Sequence, residues 1–155
     1  MLIDKSDAAQ FCENLRRDNK IVFTNGCFDI IHAGHVRYLT TAKNFGDVLI
    51  VGLNSDSSVR KLKGASRPIN NQADRAEVLL ALKPVDYVII FDELTAENLI
   101  AKVKPDIYVK GSDYNLDTLP EAKIVQRYGG RVEFVNLVAG RSTTKIVEKI
   151  LEGKQ

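Results

Sequence analysis

Five short segments rich in Val, Ile, Leu and aromatic residues, at 21–23, 47–53, 85–91, 107–109 and 131–135, predict strands. The first two carry apolar residues without polar alternation, as strands buried on both faces do. Outside these segments the spacing changes to that of helices. Residues 4–18 place Ala8, Phe11, Cys12 and Leu15 on one face, and Val36, Leu39 and Ala42 repeat similarly before a stop at Gly46. A helix over 72–82 is expected to bury Val78, Leu79 and Leu82, and one over 95–103 to bury Leu99, Ile100 and Val103. Residues 120–128 form another, stopped by Gly129-Gly130, and the last runs from about 142 to 151.

Strand, helix and strand in regular succession build right-handed crossovers. The expected fold is α/β: a Rossmann-like, doubly wound, five-stranded parallel sheet flanked by helices, with residues 1–155 forming a single domain. No repeat, low-complexity tract or linker interrupts the pattern.

Composition adds mainly exclusions. Hydrophobic residues make up 45% and charged residues 27% of 155, as in ordinary globular proteins. A formal charge of +2 is too small to point to nucleic acid or an anionic membrane as partner. No apolar run is long enough to span a bilayer, and the N-terminus lacks a basic-then-apolar leader, so a cytoplasmic location is expected. Cys12 and Cys27 have no metal-like spacing and are expected to be free thiols. Cys27 lies in a turn where a nucleophile could sit, but packing beneath that turn suits it better.

The turn in question is the stretch Thr24-Asn25-Gly26-Cys27-Phe28-Asp29-Ile30-Ile31-His32-Ala33-Gly34-His35, between the first strand and its helix. It holds both histidines of the chain. Unpaired N–H groups at a helix start suit a phosphate, and Gly26 and Gly34 allow a tight turn and close approach of a ligand. Two imidazoles there can donate to phosphate oxygens. Three other segments fall at the same sheet edge, where open α/β sheets bind ligands. The first is the polar exit Asn54-Ser55-Asp56 with the basic run through Lys61 and Lys63, read as a loop. The second is Lys110-Gly111-Ser112-Asp113-Tyr114. The third is the helix start Ser142-Thr143-Thr144, whose hydroxyls can cap while its N–H groups take phosphate oxygens.

The His-x-Gly-His signature resembles that of the nucleotidyltransferase superfamily of cytidylyl- and adenylyltransferases. The longer string from Thr24 through Leu39 is most similar to the bacterial D-glycero-β-D-manno-heptose-1-phosphate adenylyltransferases, alone or as half of a bifunctional enzyme. The resemblance implies that His32 and His35 stabilise the transferring phosphate and that Lys63 stands beside the triphosphate, with Lys61 near enough to compete. It implies nucleotide contacts along Thr24, Asn25, Gly26, Cys27 and Phe28, the last through its backbone amide, and at Gly34. Gly140-Arg141-Ser142-Thr143-Thr144-Lys145-Ile146 matches the second signature, which holds the β- and γ-phosphates; Arg141, Ser142, Thr143 and Thr144 are counted among the nucleotide-binding residues, though arginine specifically is not expected at 141 and its role is open. Lys110, Gly111, Asp113 and Tyr114 match an element near base and ribose. Arg75 matches the arginine of an Asp-Arg element, and Asn54, Asp56, Lys61, Arg67 and Arg75 form the expected substrate side.

The implied reaction uses ATP and a sugar 1-phosphate, whose phosphate oxygen attacks the α-phosphorus in line as pyrophosphate leaves. The nucleophile is already anionic, so positioning and charge stabilisation suffice. Mg²⁺ is expected on the triphosphate rather than on a protein cage. Phosphorylation of the sugar is expected from another protein, and a homodimer is the expected assembly. Glycerol-3-phosphate-type cytidylyltransferase and FAD-synthase-type adenylyltransferase activities share the scaffold. So would a nucleotide-binding module without catalysis.

Overall fold

The computed structural model describes residues 1–136 and 142–153. Its order is β1 (Leu2–Ile3), α1 (Ala8–Leu15), β2 (Ile21–Gly26), α2 (Ala33–Lys43), β3 (Val48–Asn54), α3 (Asp56–Lys63), α4 (Gln72–Leu80) and β4 (Tyr87–Phe91). Then follow α5 (Glu97–Val103), β5 (Ile107–Gly111), α6 (Pro120–Arg127), β6 (Arg131–Val135) and α7 (Thr143–Glu152). The strands form one parallel sheet of six in the order β1-β4-β3-β2-β5-β6.

The sheet therefore has one strand more than the pattern predicts. Residues Leu2 and Ile3 pair with Val88 and Ile89, and the terminal ammonium of Met1 donates to the carbonyl of Asp86. A strand of two residues has no periodicity to read. The first helix is half the expected length because only Ala8–Leu15 is helical.

Successive residues of each strand serve two cores. Ile21, Phe23, Ile50, Ile89, Phe91 and Tyr108 face α1, α5 and α6, while Val22, Leu49, Val51, Leu53, Val88 and Val109 face α2 and α4. A Cβ at Gly52 would come within 2.6 Å of the Phe23 ring, so the glycine lets that ring lie across β3. Leu39, Ala42, Leu79, Leu99, Ile100 and Val103 are buried as expected. Val36 and Val78 are exposed instead, and Ala76 takes the inward position on α4. The basic run is also not a loop: Ser55 caps α3 by accepting from the Ser58 N–H, and Val59 turns into the core.

Strand order reverses at β2, which pairs with β3 on one side and β5 on the other. The crevice at the carboxyl ends of these strands is the ligand position of this architecture.

Candidate active site

β2 continues through Thr24, Asn25 and Gly26, so the turn begins three residues later than the expected strand end at Phe23. The residue in the left-handed region is Phe28, with φ 44°. Such a φ is unfavourable for a side-chain-bearing residue and persists where surrounding bonds impose it. Asp29 supplies them. Its buried carboxylate accepts from Arg67 Nε at 2.6 Å, from the Ile69 N–H at 2.9 Å and from the Asn70 N–H at 3.0 Å. Asn70 Nδ2 returns a bond to the Asp29 carbonyl at 2.8 Å. Burial pushes the Asp29 carboxyl up, and the donors from Asn70, Ile69 and Arg67 more than offset it, leaving it below the usual range.

The turn delivers the two histidines into a reciprocal cap on α2. His32 is the N-cap and its Nδ1 accepts from the Gly34 N–H at 3.1 Å; His35 Nδ1 accepts from the His32 N–H at 3.4 Å. The rings stack with centroids 3.8 Å apart, and Phe28 lies against His35 at 5.3 Å. Burial, then His32 and Lys63, lowers the His35 imidazole to about 4. Near neutral pH His35 is therefore uncharged. With Nδ1 accepting, its proton is on Nε2, and the imidazole works as a hydrogen-bond donor rather than as a cation.

Opposite stands Lys110, at the end of β5. Its ammonium donates to the Asn25 carbonyl at 3.3 Å and lies 5.1 Å from the centre of the Tyr114 ring. Burial lowers its pKa. Tyr108 donates to Asn25 Oδ1 at 2.7 Å, so Asn25 is held at side chain and backbone alike. Tyr38, from α2, shares a 2.8 Å bond with Thr24 and donates to the Val109 carbonyl at 3.0 Å, tying the histidine helix to β2 and β5. Ser142 caps α7 by accepting from the Lys145 N–H, and the Thr143 hydroxyl donates to the Ile30 carbonyl.

These parts enclose a cavity of about 650 Å³. It brings together Asn25, Gly26, Cys27, Phe28, His32, Gly34 and His35 from the turn, and Asn54, Lys63 and Arg67 from the next mouth. Lys110, Gly111, Asp113, Tyr114 and the α7 start at Ser142, Thr143 and Thr144 complete it. Burial raises the Cys27 thiol, so it is no ready thiolate. Four expected residues are not part of the wall. Thr24 is buried against Tyr38, and Lys61 is exposed outside the wall that Lys63 joins.

Arg75 is the largest correction. It is 1% exposed and spends its guanidinium inside the protein, on the carbonyls of Cys27, Asn54 and Asn70 and on Asp56 Oδ1 at 2.7 Å. It braces the mouths of β2 and β3 from beneath, and Asp56 is its counter-ion rather than a substrate ligand. Arg141 falls outside the described residues. The sequence reading missed Tyr38, Leu94, Thr95, Leu119 and Glu121 as cavity residues. Only Glu121, following Pro120 in the first turn of α6, carried a local signal.

A family model described as Cytidylyltransferase-like matches residues 23–149, from β2 into α7. The chain belongs to the cytidylyltransferase-like family. Among curated relatives, the bifunctional protein HldE of Campylobacter curvus is 58% identical over 135 residues, covering 87% of this chain and 28% of its own length. That of Geobacter metallireducens is 57% identical with the same coverage, and that of Syntrophotalea carbinolica 54% over 88% of this chain. The chain thus spans little more than a quarter of the curated relatives it matches. Among solved structures, the lipopolysaccharide core biosynthesis protein from Thermoplasma volcanium is 32% identical with a TM-score of 0.63, covering 77% of this chain and 97% of that one. A pantoate-β-alanine ligase from Francisella tularensis, 17% identical at a TM-score of 0.60 over the whole of this chain and 79% of its own, shares the fold.

Proposed function

We propose that this family member is an adenylyltransferase that moves AMP from ATP to D-glycero-β-D-manno-heptose 1-phosphate, releasing pyrophosphate and ADP-heptose for lipopolysaccharide core synthesis. The observation that carries the reading is one cavity in which the reciprocally capped His32 and His35 meet Lys63, Lys110 and the start of α7, in a chain 52–58% identical to HldE proteins. The N–H groups at Ser142–Thr144 take the β- and γ-phosphates, and Lys63 adds charge beside them. The Nε2–H donors of the histidines serve oxygens of the α-phosphate, where negative charge develops. The sugar phosphate attacks as an anion, so no residue need remove a proton.

The charge of the triphosphate calls for a divalent ion. Among the described residues no group of three or more His, Cys, Asp or Glu is placed to hold one, and both Asp29 oxygens are engaged by Arg67, Ile69 and Asn70. That donor set suits an ion carried in by the triphosphate and its waters, so Mg²⁺ enters as part of the substrate MgATP. A homodimer remains the proposed assembly, supported by the exposed Ile150 and Leu151 on α7.

Pyrophosphate release should be followed with ATP or CTP against heptose 1-phosphate and glycerol 3-phosphate. Release with ATP and heptose 1-phosphate is the expected result. Release only with CTP and glycerol 3-phosphate would replace this assignment with a cytidylyltransferase.

A further inference from the structure

The cavity has a second end that phosphate chemistry does not use. Glu121 is 4% exposed yet forms part of the cavity wall. Its Oε1 accepts from the Ala96 N–H at 3.0 Å, which caps the otherwise uncapped start of α5, and its other oxygen has no protein partner among the described residues. Lys110 lines the same space and feels the Glu121 charge, which partly offsets the lowering of its pKa by burial, yet among the described residues no ion pair within 4 Å joins the two. A cation nearby but out of contact leaves the second carboxylate oxygen open to hydrogen-bond donors from elsewhere. Leu94, Thr95 and Leu119 line the same cavity.

Position says which donors. Glu121, in the first turn of α6, and Thr95, just before α5, lie on the α1, α5 and α6 face of the sheet, whereas the histidines belong to the α2 face. The start of α7 is fastened beside them, at Ile30. In an in-line displacement the attacking oxygen lies opposite the leaving pyrophosphate. If pyrophosphate departs along the histidines and α7, the acceptor enters from across the ends of β2 and β5, where Glu121 waits. Lys110, at the end of β5 and bonded to the Asn25 carbonyl, lines the same cavity.

We propose that Glu121 is the specificity-determining residue of the acceptor side, its free carboxylate oxygen accepting hydroxyl groups of the sugar 1-phosphate. The inference rests on the adenylyltransferase reading above and deepens it. Carboxylate acceptors favour polyhydroxylated substrates, because a substrate lacking the hydroxyl leaves a buried charge unpaired. Ribose hydroxyls of the nucleotide have the same chemistry, so the test must separate the two substrates.

The test is steady-state kinetics of wild type and Glu121→Gln, varying heptose 1-phosphate at saturating ATP and the reverse, with thermal melting alongside. Glutamine keeps an acceptor for the Ala96 N–H, so the start of α5 stays capped. The expected result is a rise of about tenfold or more in KM for the sugar phosphate, with KM for ATP within about twofold. A rise confined to ATP would place Glu121 at the nucleotide and overturn the assignment. Unchanged constants for both substrates would overturn it too, leaving Glu121 as the cap of α5 alone. A wild-type chain that releases no pyrophosphate from ATP and heptose 1-phosphate would instead overturn the adenylyltransferase reading beneath it.

Discussion

At His35 the backbone decides which nitrogen carries the proton before any ligand arrives. Nδ1 is committed to the His32 N–H, and burial first, then the stacked His32 ring and nearby Lys63, make a positive charge on His35 unwelcome. An unfolded imidazole takes its proton near pH 6.5, while the folded His35 does so only at about 4. Between those values the unfolded chain binds more protons, so acidification costs stability as pH falls from about 6.5 to about 4 and no further below that. Removing the titrating group removes this component. Wild type should therefore lose more stability than His35→Gln between pH 7.5 and 4.5, measured by urea unfolding at each pH. Parallel losses in the two proteins would mean that His35 is not held neutral by the fold.

Among the elements, the turn before α2 depends on a segment more than thirty residues away. Asp29 joins it to the stretch before α4 through one guanidinium and two backbone N–H groups, with its side chain only 1% exposed. That is how a turn with Phe28 at positive φ stays in one shape and keeps Ile30 in reach of Thr143. Breaking a buried ion pair from one side typically costs about 3–5 kcal/mol. Asp29→Ala should lose about 3 kcal/mol or more in chemical denaturation, because Arg67 and two N–H groups lose their acceptor together. A loss below about 1 kcal/mol would show that the turn holds itself. This partnership has no trace in local sequence, since Asp29, Arg67 and Asn70 look like ordinary polar loop residues. The helical nature of α3 was hidden similarly. Only Val59 and Leu62 interrupt its polar face, and Ser55 as cap is what separates it from a charged loop.

Across the whole molecule, what was legible came from rules with one structural outcome. Strands buried on both faces read as unbroken apolar runs, and a doubly wound sheet opens its crevice at strand ends, so the mouths carrying His32, Lys63, Lys110 and Thr143 could be grouped before any coordinates. Arginine at position 75 obeyed no such rule. A guanidinium can face a phosphate or gather carbonyls, and only the packing of α4 shows that Arg75 does the latter. Glu121 was missed because its significance lies in the Ala96 N–H and in the cavity, both remote in sequence. The central claim is that the capped histidine pair acts on the transferring phosphate. Its most direct test is pyrophosphate release by His35→Ala across a range of ATP concentrations. Loss of one donor to a transition-state oxygen should lower kcat by about 10²–10³ while KM for ATP changes little. A variant that keeps the wild-type kcat would contradict the account.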